Sequence, residues 1–547
     1  MSLLEIRSLS VAYGGHRPAV RSADLDVDAK QTLAIVGESG SGKTTVANAI
    51  MGLLPADVSI SGRIALPGAE LTGLAKGAWR SVRGRRIGYV PQDPMLSFNE
   101  VLSIGAHFKE TIAAHRLAPR GNWRALASER LLEVGLAEPD RVLRQYPHQL
   151  SGGMRQRALI ALAVLARPEL IIADEPSSAL DVIVQKHVLD LLGELTSHLG
   201  SSLILITHDL GLVADRSDRV AVMHLGEIVE VGPTAEVISR PTHPYTRELL
   251  AAVPKLSSFR ERETLAELDG NGAALAVAGL VKDFKLKQAR ASTQSGAASG
   301  SSGRRRLLRA VDHVDLSIRK GQRGECVALV GESGSGKSTV AKLILGLERP
   351  TEGAIRLGGE AARAGGRGGR RRRAAGIQVV FQDPYASLDP QFTVARTLAE
   401  PLVIHRRGGR AERRARIREL IGLVGLPEAI LDRYPGELSG GQRQRVALAR
   451  ALALEPDVLL LDEAVSALDV IVQAQILETL RELRRRLGLS MLFITHDLAV
   501  VSEIADRVAV IKEGRIVEIG PVAEVFEGPG HPYTRELLDA VPGQSHF

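Results

Sequence analysis

Gly37–Thr44 and Gly331–Ser338 both carry the spacing G-x-x-x-x-G-K-[ST], which suits a loop that holds the phosphates of a nucleotide. Gly37, Gly42, Gly331 and Gly336 let the backbone curl so that its N–H groups point at phosphate oxygens. Lys43 and Lys337 bring positive charge to the β- and γ-phosphates, and the Thr44 and Ser338 hydroxyls are placed to ligate Mg2+. Ser39, Gly40 and Thr45, with Ser333, Gly334 and Thr339, complete the two cradles. Further along, the apolar runs Leu170–Asp174 and Leu459–Asp462 end in aspartate and are followed by Glu175 and Glu463. An aspartate at a strand end beside phosphates suits Mg2+. The glutamate next to it is placed to orient or deprotonate an attacking water.

Leu150–Arg157 (LSGGMRQR) and Leu438–Arg445 (LSGGQRQR) open helices. Ser151 and Ser439 can cap them, and the N–H groups around Gly152, Gly153, Gly440 and Gly441 form an anion site at the helix start. These motifs exist twice because the chain repeats itself. Ser151 and Ser439, Thr207 and Thr495, His243 and His531 lie 288 positions apart (439 − 151, 495 − 207, 531 − 243), while the phosphate loops lie 294 apart (331 − 37). The copies therefore run without gaps through their C-terminal halves. The unit is a duplicated domain of about 250 residues, not a solenoid of short repeats.

Residues 1–254 form the first domain, 255–272 a polar linker and 273–547 the second domain. Gln288–Gly303, rich in Ser, Gly and Ala, is expected to be mobile within the second copy, and Ala361–Gly376, rich in Arg and Gly, to be a surface loop. Strands such as Thr32–Val36 and Val327–Val330 alternate with helices, which predicts an α/β fold with a mainly parallel, covered sheet. Ligands in such sheets sit at the carboxyl ends of strands, where the motifs fall.

An LSGG motif between a phosphate loop and an Asp-Glu strand is similar to the signature of ABC ATPases. Each copy resembles the ATP-binding subunits of the dipeptide/oligopeptide/nickel importer family. The C-terminal HPYTRELL words at His243–Leu250 and His531–Leu538 carry the resemblance to that branch. It implies two tandem ABC-type P-loop ATPase domains, each with a mainly parallel core sheet, an N-terminal antiparallel β part and a helical signature subdomain. It assigns Gln92 and Gln382 to the Q-loops, near both the catalytic groups and Mg2+. His208 and His496 become the switch histidines, and Asp181 and Asp469 close the D-loops. Tyr13 and Phe284 become the aromatics that stack on adenine. It implies ATP and Mg2+ as ligands, with Asp174 and Asp462 at the metal. It implies intramolecular pairing of the two domains, so that Ser439–Gly441 completes the first ATP site and Ser151–Gly153 the second. The implied partners are two transmembrane permease subunits, docked near residues 93–110 and 383–400, and an extracytoplasmic solute-binding protein. The implied place is the cytoplasmic face of the cell membrane. Peptides are the expected cargo.

Bulk composition agrees with this outline. No apolar run approaches the roughly 20 residues of a membrane helix, and no signal peptide is evident at the N-terminus. The single cysteine, Cys326, cannot build a disulfide or a zinc or iron–sulfur site. Some first-type subunits of the family carry an iron–sulfur cluster in a C-terminal extension; residues 255–272 contain no cysteine, so none is expected. Cys326 reads as a small buried strand residue. The net charge of +7 raises the alternative of a cytosolic tandem ABC ATPase on ribosomes. Against it, Arg304–Arg306 and Arg370–Arg373 hold much of the excess, and aromatics are only 3% of the chain, too few for stacking platforms. No nucleic-acid partner is expected.

Overall fold

The computed structural model describes residues 2–14, 18–119, 121–177, 180–256, 272–285, 307–362, 366–466, 468–544 and 546. Most of the linker, the Gln288–Gly303 insert and Arg304–Arg306 lie outside these residues, as do Ser178, Ala179 and Ala467. The chain divides into two compact units, residues 1–253 with 469–471 and 540–547, and residues 254–468 with 472–539.

The first unit is built on a six-stranded sheet. Its order is Glu227–Pro233, Arg219–His224, Thr32–Val36, Ser202–Ile206, Leu170–Asp174, Ile87–Val90. The inner pairings are parallel and the Glu227–Pro233 edge is antiparallel. Strand alternation explains why these runs are apolar throughout. Ile171, Ala173, Leu203 and Leu205 face a helical layer that includes Phe108, Leu131 and Ile160. Leu170, Ile172, Ile204 and Ile206 face the opposite way, against Leu4, Ile6 and Ile50. Both faces are covered, so each position must be apolar, at about 1.5–3 kcal/mol per buried aliphatic side chain.

A second, antiparallel sheet of Val20–Asp28, Ser2–Tyr13, Val58–Leu66 and Ala69–Glu70 supplies the N-terminal β part. The helical part runs through Ile104–His115, Trp123–Glu133 and Pro139–Arg144 to Gly152–Ala163.

The second unit repeats the plan. Its six-stranded order is Ile377–Val380, Val458–Asp462, Ser490–Thr495, Cys326–Val330, Arg507–Lys512, Arg515–Pro521. Cys326 is the fully buried first residue of its strand. The approach to that strand, Lys320–Glu325, buries Glu325 completely; its carboxylate accepts from the Arg319 N–H and from Arg507.

One expectation fails. Residues 366–376 form a helix, Gly366–Gly376, and not a surface loop. Arg373 anchors it. Its guanidinium donates to the carbonyls of Leu343 and Ile344, which end the phosphate-loop helix Lys337–Leu345 and lack partners within that helix. Arg83 does the same in the first unit, reaching Met51 O and Gly52 O after helix Lys43–Met51. Arg373 is thus a structural residue, beside the exposed Arg371 and Arg372. Arg372, by contrast, is exposed and pairs with exposed Glu360.

Arg373→Ala should therefore destabilise the chain by about 2 kcal/mol, the range for hydrogen bonds from a charged donor. Arg372→Ala should change it by less than about 0.5 kcal/mol. Thermal unfolding of the two variants side by side checks this; equal midpoints would remove the capping role.

Candidate active sites

Each phosphate loop is a turn between a buried strand and a helix. Gly37 has φ 149° and lies so close to the next strand that an added Cβ would sit 2.1 Å from Met223 O. Only glycine fits. Gly40, at φ 79°, has open space where a side chain would point, so ligand can approach the backbone. Gly331 and Gly334 repeat these features. Lys43 is only 6% exposed; its ammonium donates to Gly37 O at 2.7 Å and Glu38 O at 2.8 Å. Burial lowers its pKa, against the charges of Glu175 and Asp174. Lys337 makes the twin contacts, to Gly331 O at 2.6 Å and Glu332 O at 2.7 Å. Both lysines are thus buried and folded back on the carbonyls of their own loops. A phosphate is the kind of group such a buried ammonium would pair with.

The Asp-Glu pairs stand at the carboxyl ends of Leu170–Asp174 and Val458–Asp462. Asp174 accepts from the Thr44 hydroxyl at 3.3 Å. Burial raises its pKa, as it raises that of Asp462. Such carboxylates suit a cation, which would repay their desolvation. Glu175 and Glu463 leave the strand with φ 46° and 49°, a left-handed conformation that costs a non-glycine residue about 1–3 kcal/mol. The bend is held by N–H bonds to Ile206 O and Ile494 O.

Each glutamate then receives two partners. Gln92 Nε2 donates to Glu175 at 3.0 Å, and Gln382 Nε2 to Glu463 at 2.8 Å. His208 Nδ1 lies 3.1 Å from Glu175, and His496 Nδ1 lies 3.5 Å from Glu463. Burial would raise the Glu175 carboxyl, but the His208 bond and charge, then Lys43 and Gln92, hold it below the ordinary glutamate value. The His496 bond, working against burial, lowers Glu463 likewise. The Glu175 bond raises His208, and for His496 the Glu463 bond and charge outweigh burial.

The turns that aim the histidines are local. Thr207 Oγ1 accepts the Asp209 N–H, and Asp209 caps helix Leu210–Arg216. Thr495 and Asp497 do the same for Leu498–Ile504.

The remaining sequence candidates fall as follows. Ser151 caps helix Gly152–Ala163 through the Met154 N–H, and Ser439 caps Gly440–Leu452 in a capping box with Gln442. Asp181 caps helix Val182–Leu199. Tyr13 ends its strand 38% exposed, and Phe284 is partly exposed with the Lys282 ammonium 4.9 Å from its ring centre, so neither is a buried core aromatic. Thr44, Asp174, Glu175, Gln92, His208 and Lys43 come together in one cluster. Lys337, Gln382, Glu463, His496 and Asp462 form its counterpart.

The C-terminal tails are fully engaged with these sites. His243 caps helix Pro244–Ala251 through the Tyr245 N–H, with Pro244 at its first position. Arg247 Nε donates to Pro241 O. Glu230 accepts from the N–H and hydroxyl of Thr242 and from the His243 N–H. The buried Tyr245 hydroxyl accepts the N–H of Glu38, the second residue of the phosphate loop, at 3.1 Å. The second tail repeats this with His531, Arg535, Glu518 and Tyr533, whose hydroxyl accepts the Glu332 N–H at 2.9 Å.

The family model for ABC transporters matches residues 20–178 and 311–466. The chain belongs to the ABC transporter family. A second model, the C-terminal region of oligopeptide/dipeptide transporters, matches residues 229–279 and 517–545, which contain both tails. The chain is 43% identical to a glutathione import ATP-binding protein of Pectobacterium atrosepticum over 99% of this chain and 89% of that protein. It is 41% identical to the same-named protein of Escherichia coli O157:H7 over 99% and 90%. An archaeal ribosome recycling factor, solved with a ribosomal stalk protein, shares the fold at 23% identity with TM-score 0.61, over 94% of this chain and 90% of that one. The chain is accordingly a tandem ABC ATPase, the ATP-binding subunit of an importer of the dipeptide/oligopeptide class, and its ATP hydrolysis is coupled to translocation.

Several residues of this tandem ATPase were not singled out from sequence. The Tyr89 hydroxyl lies 3.4 Å from Asp174, where the second copy has Val379. Tyr245 and Tyr533 lie in the repeated HPYTRELL words, but their contacts, 207 and 201 residues away, cannot be read from them; Glu230 and Glu518 lie 13 residues before the histidines that open those words.

The Glu230 clamp carries a pH dependence. Burial would raise its pKa, but the donors of Thr246, Thr242 and His243 outweigh this and hold it at about 2. A depressed folded value contributes stability above the unfolded value near 4.5, and that contribution is lost as pH falls toward 2. Glu230→Gln should therefore lower the thermal midpoint at pH 7, with the gap to the parent closing as pH falls from 5 to 3. A gap that stays constant across that range would contradict the clamp.

Proposed function

We propose that this chain drives uptake of short peptides, with glutathione as the first candidate, by hydrolysing ATP at two composite sites. The observation that carries the reading is that both copies keep the whole set, a buried loop lysine, a strand-end aspartate and a glutamate held by a glutamine and a histidine. Lys43 and Lys337 would swing from their loop carbonyls to the phosphates. Glu175 and Glu463 would orient and accept a proton from water, which their lowered pKa keeps them ionised to do. His208 and His496 would steady the glutamates and sense the γ-phosphate. Thr44, Asp174 and Gln92, with Ser338, Asp462 and Gln382, would hold Mg2+, whose charge offsets that of the β- and γ-phosphates. Tyr13 and Phe284 would stack on adenine. Ser151–Gly153 and Ser439–Gly441 would each complete the site of the other copy, with Asp181 and Asp469 alongside.

The partners would be two permease subunits and an extracytoplasmic binding protein, with the chain at the cytoplasmic face of the membrane. No helix among the described residues is long and apolar enough to cross a membrane; the import family of the relatives supports separate permeases as the path. The half-exposed Tyr385 and Phe381, beside Gln382, support docking there. Glutathione rests on the names of the relatives, which match over almost the whole chain. The likeness to the ribosome recycling factor is one of fold, and the tails favour import.

Glu175→Gln and Glu463→Gln should each bind ATP yet lower its turnover at the altered site about 100-fold or more. Steady-state hydrolysis by the purified chain and uptake of labelled glutathione by vesicles carrying the permeases test both halves. Parental hydrolysis in either variant would sink the two-site reading; hydrolysis without glutathione uptake would send the search to other peptides.

A further inference from the structure

The geometry points to Tyr245 and Tyr533 as positioning residues of the two phosphate loops, which makes each C-terminal tail a working part of its nucleotide site. The inference rests on the assignment of Gly37–Thr44 and Gly331–Ser338 as those loops. The carbonyls of Gly37 and Glu38 are held by Lys43, and the Glu38 N–H by the Tyr245 hydroxyl. When Lys43 turns to the phosphates it releases both carbonyls. The tyrosine bond, unlike the lysine bonds, does not have to break, so it keeps the first arm of the loop in place. The arm has little other freedom to spare, because Gly37 is pressed against Met223 O. Gly331, Glu332, Lys337 and Tyr533 repeat the arrangement.

The tyrosine itself is fixed from every side. It is 6% exposed in the first copy and 2% in the second. His224 packs against Tyr245 with ring centres 3.9 Å apart and planes tilted by 31°, and Lys512 takes the corresponding place over Tyr533 at 4.4 Å. Both neighbours come from the strand that also presses on the loop's first glycine. Below the ring, the helix start is clamped by Glu230 or Glu518. A hydroxyl on so rigid a mount lowers the entropy that the loop must lose when nucleotide binds.

Tyr→Phe removes one oxygen and leaves the packed ring. In the full chain, Tyr245→Phe and Tyr533→Phe should each weaken binding of a non-hydrolysable ATP analogue at one of two sites by about 5-fold, the equivalent of one neutral hydrogen bond. The double variant should weaken both. KM for ATP should rise more than kcat falls, while the midpoint of nucleotide-free unfolding moves by less than about 3 °C. Unchanged affinity and KM in both copies, with or without lost stability, would reduce the tyrosines to packing residues and overturn the inference. Lys43→Ala and Lys337→Ala serve as the separate check. If they leave analogue binding intact, the loop assignment itself fails, whatever the tyrosine variants do.

Discussion

A carboxylate at the end of a strand buried on both faces is largely cut off from water and must be held by what surrounds it. Glu175 and Glu463 are in that position, and the rest of each copy is arranged around them. The strand turns sharply at the glutamate, in a left-handed conformation that a side chain tolerates at a cost. Backbone bonds to the neighbouring strand hold the turn. That neighbour ends in the histidine which reaches back to the same carboxylate, and the glutamine arrives from beyond the edge strand. Three chain segments thus meet on one group, and none could satisfy it alone. The pKa of the glutamate is low because these partners together outweigh the burial that would raise it.

The two copies show which features this constraint demands. Histidine, glutamine, aspartate and the folded-back lysine recur in both. So does the guanidinium that caps the phosphate-loop helix, although its surroundings have become SVRGRR in one copy and RRRRAAG in the other. Features outside the shared cluster drift. Tyr89 beside Asp174 is Val379 in the second copy, and His224 under the tail tyrosine is Lys512. The first difference changes the environment of one metal-site candidate and gives the two sites distinct electrostatics. The second keeps a polar or cationic contact on the ring, which packing alone would not require.

The tails show how a short word can be structural in every letter. In HPYTR, histidine caps the helix, proline starts it, tyrosine leaves for the phosphate loop, threonine packs beside the glutamate clamp and arginine ties back to a carbonyl before the helix. Each role depends on a partner elsewhere, so the word stays intact only if all the partners do. The clamp is itself polar, and its energy depends on donors that converge on one carboxylate.

Much of this molecule is determined by sequence alone. The loop spacing, the apolar strands ending in Asp-Glu, the capped LSGG helices and the constant offset between copies are local patterns, and each fixes backbone geometry within a few residues. They sufficed for an α/β ATPase in two copies, and for naming nearly all the side chains that gather around Glu175 and Glu463. They did not suffice for Gly366–Gly376, where a run of glycines and arginines reads as loop by composition. The segment is a helix instead, anchored by one arginine on the carbonyls of a distant helix end. Nor could they show Tyr89 at the aspartate or the tail tyrosines at the phosphate loops. Those partners are up to about 200 residues apart, and only the folding of the covered sheet brings them within reach. Local spacing sets which groups the chain can offer; tertiary packing decides which of them meet, because a buried donor or acceptor is stable only where its partner arrives.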